Sequence, residues 1–155
     1  MFLIKLAVFA LILYLVLTFV ITFHRASSNN MFPNIKDGDL CVLYRLDDYH
    51  MGDIVYYTDS GKKKLGRIVA AQGQEIDFPE EGGYLLNGFA PSEEIMYQTY
   101  RSEASETTYP HTVESGSFYI MNDFRSDTKD SREMGDVKKG SIIGKVIYVL
   151  RRRGF

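Results

Sequence analysis

A chain of 155 residues with 45% apolar and 25% charged residues has the make-up of one globular unit with room for an appendage. Its net charge of −2 argues against the basic surface that nucleic-acid binding needs. Its single cysteine excludes an intramolecular disulfide framework.

The apolar content is concentrated at the start. From Leu6 to Phe23 no residue is charged and almost all are Leu, Val, Ile, Ala or Phe; Lys5 precedes the run, and His24 and Arg25 follow it. As a helix this run rises about 27 Å, roughly the hydrocarbon thickness of a bilayer. A cleavable signal peptide has a shorter apolar core of about 7–15 residues and ends at a small-x-small site. Here the run is longer and passes into His24-Arg25-Ala26-Ser27-Ser28-Asn29. The expectation is a retained anchor over 1–25 and one domain over 26–155. Lys5 and the terminal amine favour an internal N-terminus, whereas Arg25 and Lys36 weaken that bias.

Beyond Asn29 the pattern changes to short β-like runs separated by turn signals. Strands are expected over 39–45, 53–58, 65–71, 84–86, 117–121 and 142–150. Asn87-Gly88 reads as a hairpin turn, and 36–39, 59–61 and 80–83 as further turns. The polar stretch 102–109 reads as an exposed loop. No long helical period occurs outside the anchor. The fold class is therefore mainly β, with short strands packed as a folded sheet or small barrel. Cys41 sits in the run Leu40-Cys41-Val42-Leu43 and is expected to be a small buried hydrophobe.

Four segments stand out in order. They are Ser27-Ser28-Asn29-Asn30-Met31-Phe32-Pro33 with Gly38-Asp39, then Met51-Gly52-Asp53-Ile54-Val55, then Leu65-Gly66-Arg67-Ile68-Val69. The last runs from Asn122 to Gly135 and contains Thr128 and Asp130-Ser131-Arg132, with Gly144-Lys145 downstream. Each is weak alone. Their order, their spacing and the preceding anchor together resemble bacterial type I signal peptidases over nearly the whole chain, and the compact size resembles the Gram-positive branch. The resemblance implies a β ectodomain of folded antiparallel sheets on the outer face of the cytoplasmic membrane, held by one N-terminal transmembrane helix.

That family hydrolyses signal peptides with a serine nucleophile and a lysine base. A serine hydroxyl attacks only when a neighbour takes its proton, and lysine does this only when burial disfavours its charged form. The resemblance places the nucleophile directly before Met31-Phe32-Pro33, where this chain has Asn30. It places the base directly before Arg67, where this chain has Gly66. A carboxamide nitrogen is not nucleophilic and glycine has no side chain, so the usual route is lost; Asn30 is expected to hydrogen-bond locally instead. By the same resemblance Ser28 stands at the oxyanion-donor position. Thr128 replaces a serine that contacts the lysine, and Asp130 and Arg132 form a bracing ion pair. Met31, Pro33, Gly52, Asp53, Arg67, Ser131 and Gly135 belong to the motif frame.

One displaced arrangement exists on paper. Ser28 lies two residues before Asn30 and Lys64 two before Gly66, and residues two apart on a strand share a face about 7 Å apart. Lys64 belongs to Lys62-Lys63-Lys64, however, and a solvated lysine stays protonated and cannot act as a base. His24, His50 and His111 are scattered without ligand spacing, so no metal is expected. No phosphate loop is present and no cofactor is expected. Arg151-Arg152-Arg153 either meets anionic lipid or is solvated, and Met31 and Phe32 either touch lipid or fill the core.

Two functions follow. With its impaired dyad the chain resembles the signal peptidase-like proteins that accompany Gram-positive pilin and sortase genes. That resemblance implies a non-catalytic, chaperone-like helper of pilus assembly that binds pilin subunits, sortase or both. A peptidase groove binds extended peptides by strand addition, which survives loss of the nucleophile. The alternative is an active signal peptidase using Ser28 and Lys64.

Overall fold

The computed structural model describes residues 1–92 and 97–151; Arg152 and Arg153 of the C-terminal arginine run lie outside the described residues. The chain opens with helix α1 (Phe2–Leu15), which continues as a π-helical turn (Val16–Val20). Together they form a 19-residue segment of mean hydropathy 2.7 with none of it buried. A helix that is apolar all round and uncovered by protein is suited to lipid, and this one is long and apolar enough to cross a membrane.

The helix is shifted from its expected bounds. It starts at Phe2 and stops at Val20, and Ile21–Arg25 form strand β1, so the expected helical stretch to Phe23 is corrected at its C-terminal end. Two causes are visible. Ile21, Thr22 and Phe23 are β-branched or aromatic and fit a pleated surface. Arg45 also ties off the helix end, donating from its backbone N–H to the Val20 carbonyl at 2.9 Å and from Nη1 to the Thr18 carbonyl at 2.7 Å. Helix termini leave such carbonyls without internal partners.

The remaining elements are β2 (Leu40–Tyr44), β3 (Ile54–Asp59), β4 (Lys62–Ala71), β5 (Glu75–Asp77), β6 (Leu85–Leu86), β7 (His111–Thr112), β8 (Ser117–Met121), the short helix α2 (Ser131–Met134), β9 (Val137–Lys138) and β10 (Ile142–Leu150). A seven-stranded antiparallel sheet runs β1-β2-β10-β3-β4-β8-β9, and a three-stranded sheet runs β6-β5-β7. The mainly β expectation therefore holds, and all six expected strands are present, two of them with the expected ends. The very short strands β5, β7 and β9 carry too few residues for a period-2 signal. Asn87 and Gly88 both adopt positive φ and close the expected hairpin, with Leu86 and Phe89 exchanging backbone hydrogen bonds.

The core lies in three clusters of buried residues. Met31, Cys41, Leu43 and Leu65 belong to one, Val55, Tyr57, Ile68 and Ile120 to a second, and Val69, Ile76, Tyr119 and Met121 to the third. Met31 fills the core, whereas Phe32 is half-buried beneath the Lys36 ammonium. Cys41 is fully buried, and burial pushes its thiol up to about 11, so it stays protonated and inert at neutral pH. The stretch 102–109 is less free than its polarity suggests. Ser102 is buried against Glu133 at 3.0 Å, and the Tyr109 and Tyr119 hydroxyls are 2.7 Å apart.

Candidate functional site

A cleft of about 350 Å³ opens where three parts of the chain converge. Ser27, Ser28 and Asn30 come from the segment that follows β1. Lys62, Lys63, Lys64 and Leu65 come from the first half of β4. Asn122, Asp127 and Lys129 come from the loop after β8. His24 of β1 lines the same cleft and stacks on Tyr56 with ring centroids 4.0 Å apart. Burial first, and the Lys63 charge second, push the His24 imidazole below its ordinary value.

Asn30 holds the inner end of this cleft together. Its Nδ2 donates to the Leu65 carbonyl and to Asn122 Oδ1, both at 2.8 Å, while its Oδ1 accepts from Ser28 Oγ at 2.6 Å. The carboxamide thus has both a local partner, as expected, and two partners distant in sequence. Its own carbonyl accepts from the Phe124 N–H at 2.9 Å. A side chain with two donors and one acceptor suits this place; serine offers a single donor. Asn30→Ala is expected to lower stability by about 1–2 kcal/mol, because Leu65 O and Asn122 Oδ1 lose their donor. Asn30→Asp should be no better, since a carboxylate would face two acceptors. Urea midpoints of the three proteins check both statements.

Gly66 lies next to Leu65 on β4, so positions 30 and 66 do meet in space. The room for a side chain at 66 is taken. A Cβ built there falls 2.5 Å from Ile120 Cγ2 and 3.2 Å from the Tyr57 ring. Both neighbours are fully buried. The Tyr57 hydroxyl has no hydrogen-bond partner among the described residues. Burial, with Asp130, Asp59 and Asp127 behind it, pushes the phenol's ionisation upward. Ile120 and Tyr57 carry no sequence signal of this role, because what identifies them is their packing against an absent side chain.

Ser28 and Lys64 both line the cleft, but each is engaged elsewhere. Ser28 donates to Asn30, and Lys64 Nζ donates to Asp59 Oδ2 at 2.8 Å. That bond is the largest cause of the lowered Asp59 carboxyl. No hydrogen bond joins Ser28 to Lys64 among the described residues.

The frame around the cleft is built by the last motif. Asp130 caps α2 by accepting from the Arg132 N–H at 3.0 Å, and it accepts from the Asn122 N–H at 2.9 Å. Arg132 grips both Asp130 oxygens at 2.9 and 2.7 Å, and it reaches the carbonyls of Tyr100, Arg125 and Asp127. Both charged side chains are fully buried. Ser131 Oγ accepts from the Ile120 N–H at 2.9 Å, and Gly135 ends the helix at φ 76°, a conformation that favours glycine. The segment reads as a clamp that fixes β8 and the loop carrying Asn122.

The other motif residues support the same frame. Arg67 forks onto Asp123 with two 2.6 Å bonds and donates to the Gly52 carbonyl at 2.7 Å. Asp53 caps its turn by accepting from the His50 N–H at 2.9 Å, and Pro33 sits in the turn closed by Ile35 N–H to Met31 O at 2.9 Å. Thr128 donates to Glu133 Oε1, which with Ser102 holds the Glu133 carboxyl below its ordinary range. Asn122, Asp123 and Glu133 were legible only as members of the last motif; their partners identify what they do.

A family model described as signal peptidase, peptidase S26, matches residues 1–150. The chain is similar to the inactive signal peptidase IA of Staphylococcus aureus, at 25% identity over 94% of this chain and 87% of that relative. It is also similar to signal peptidase IB of the same species, at 22% identity over 94% and 85%. Signal peptidase I of Enterococcus faecalis has the same fold, with a TM-score of 0.54 over 64% of this chain and 97% of that one, at 23% identity.

Proposed function

This chain belongs to the signal peptidase family, peptidase S26, and from that premise we propose that it is a non-cleaving member whose groove binds peptide without hydrolysing it. In this reading Asn30 occupies the nucleophile position and Gly66 the base position. Ser28 is a vestigial oxyanion donor, and Thr128 is the remnant of a lysine contact. The observation that carries the reading is the state of the two central positions. The Asn30 carboxamide is fully engaged with Ser28, Leu65 and Asn122, and the side-chain space at Gly66 is filled by Ile120 and Tyr57. On this reading neither position carries a nucleophile or a base, and losing either member of such a unit costs about as much as losing the whole.

The role proposed is assembly of surface pili, with pilin subunits, sortase or both as partners. The protein is held by the Phe2–Val20 helix in the cytoplasmic membrane, with its β domain on the extracellular side. Strand addition supplies the binding mode. Deleting the protein is expected to reduce polymerised pilin on immunoblots of cell-wall extracts while signal-peptide removal continues. Loss of processing with normal polymer would sink the assembly role.

The second reading is a working peptidase with Ser28 as nucleophile and Lys64 as base. What favours it is that both line one cleft. It requires the Ser28–Asn30 and Lys64–Asp59 hydrogen bonds to break, and it requires that Ser28→Ala abolish cleavage of a pilin precursor in detergent. The non-cleaving reading expects no cleavage to abolish.

A further inference from the structure

The cleft is more basic than the chain that contains it. Four lysines line it against two aspartates, Asp59 and Asp127, in a protein of net charge −2. One lysine is neutralised, since Lys64 pairs with Asp59. The other three, Lys62, Lys63 and Lys129, are exposed and form no ion pair among the described residues. Lys139 and Lys145, by contrast, are each paired with an aspartate.

The backbone there is open as well. β4 pairs with β3 along its first half, from Lys62 opposite Asp59 to Arg67 opposite Ile54. On its other side pairing with β8 begins only at Arg67, so residues 62–65 present an unpartnered edge to the cleft. One group on that edge is taken, because the Leu65 carbonyl accepts from Asn30. An unpaired strand edge is a template for an added strand.

We propose that this cleft binds an acidic, extended peptide segment, which lies along the 62–65 edge and ends at the Asn30 crosslink, with its carboxylates reaching Lys62 and Lys129 on one face of the edge and Lys63, beside His24, on the other. The inference rests on the peptide-binding reading above and adds the charge of the partner. A peptide fits better than a lipid surface. The lysines surround a concavity framed by Ser27, Asn30 and Asn122, and an unpartnered strand edge matches main-chain groups that a headgroup lacks.

The test uses the full chain in zwitterionic nanodiscs and three fluorescent decapeptides with one Val/Thr framework and Glu, Gln or Lys at alternate positions. Fluorescence anisotropy at low salt should show the Glu peptide binding roughly tenfold more tightly than the Gln peptide, with the gap narrowing in high salt. The combined Lys62→Ala, Lys63→Ala and Lys129→Ala substitutions should close the gap without altering circular dichroism. Equal affinity for Glu and Gln peptides would overturn the acidic specificity and leave peptide binding standing. Failure of all three peptides to bind would overturn both readings. A Glu preference that survives the triple substitution would remove the site from this cleft. Displacement of the Glu peptide by monomeric short-chain phosphatidylglycerol would assign the lysines to lipid headgroups and overturn the proposal.

Discussion

Replacing Arg132 by alanine will remove about 3–5 kcal/mol of stability, a large fraction of the roughly 5–15 kcal/mol that holds an ordinary domain folded. Arg132 and Asp130 are both fully buried and joined by two short charge-assisted bonds. Without the guanidinium, Asp130 remains a buried carboxylate whose donors among the described residues are two backbone N–H groups, from Asn122 and Arg132 itself. The carbonyls of Tyr100 and Arg125 lose the Arg132 donor at the same time, and the Asp127 carbonyl is left with Asn122 Nδ2 alone among the described residues. Arg132→Lys should rescue little, because an ammonium cannot reproduce a planar fork that meets five acceptors. Chemical unfolding in detergent, followed by tyrosine fluorescence, gives the difference directly. A loss below about 1 kcal/mol would mean the pair behaves like a surface salt bridge and is not the clamp described here.

Restoring the missing chemistry will need three substitutions rather than two. On the non-cleaving reading, Asn30→Ser with Gly66→Lys rebuilds the nucleophile and base by type, but any Cβ at 66 collides with Ile120 Cγ2 at 2.5 Å. Overpacking of that kind costs about 1–3 kcal/mol, and it turns the lysine away from its required path or distorts β4. Adding Ile120→Ala removes the colliding methyl and leaves the Ile120 backbone bond to Ser131 in place. The unsubstituted protein should not cleave a signal-peptide-bearing pilin precursor, and the double variant should show little gain. The triple variant should cleave about 10³-fold above the unsubstituted background. Its rate should rise with pH, because the lysine must be neutral to act as a base. Robust cleavage by the unsubstituted chain would overturn the non-cleaving reading and make Ser28 and Lys64 the residues to test next.

Whether a residue's role could be read in advance depended on where its partners lie. The Asn87-Gly88 turn acts through neighbours close in sequence, whereas the strands at 117–121 and 142–150 were legible from their own apolar runs although they pair with the distant β4, β2 and β3; the expected bounds of all three match the structure. Helix α1 was legible as an apolar stretch, but its end was not. That end is set by Arg45, which reaches back 27 residues to Thr18, and by pairing of Ile21–Arg25 with β2. Asp130–Arg132 was legible because the two residues are neighbours in one motif. Its burial and its three carbonyl contacts were not, because they depend on how the loop folds over β8.

The sequence alone determined that this is a mainly β chain with one apolar helix, and it supplied the proposal that Asn30 and Gly66 stand where the family's chemistry would need a hydroxyl and an amine. Those are matters of residue type and order, which no folding changes. Only the tertiary structure decided what those two positions do. Asn30 reaches partners 35 and 92 residues away in Leu65 and Asn122, and Ile120 and Tyr57 close the space over Gly66. Hydrogen-bond partners and packing volume are properties of where distant segments meet, and this chain brings them together only when β4, β8 and the segment after the anchor converge on one cleft.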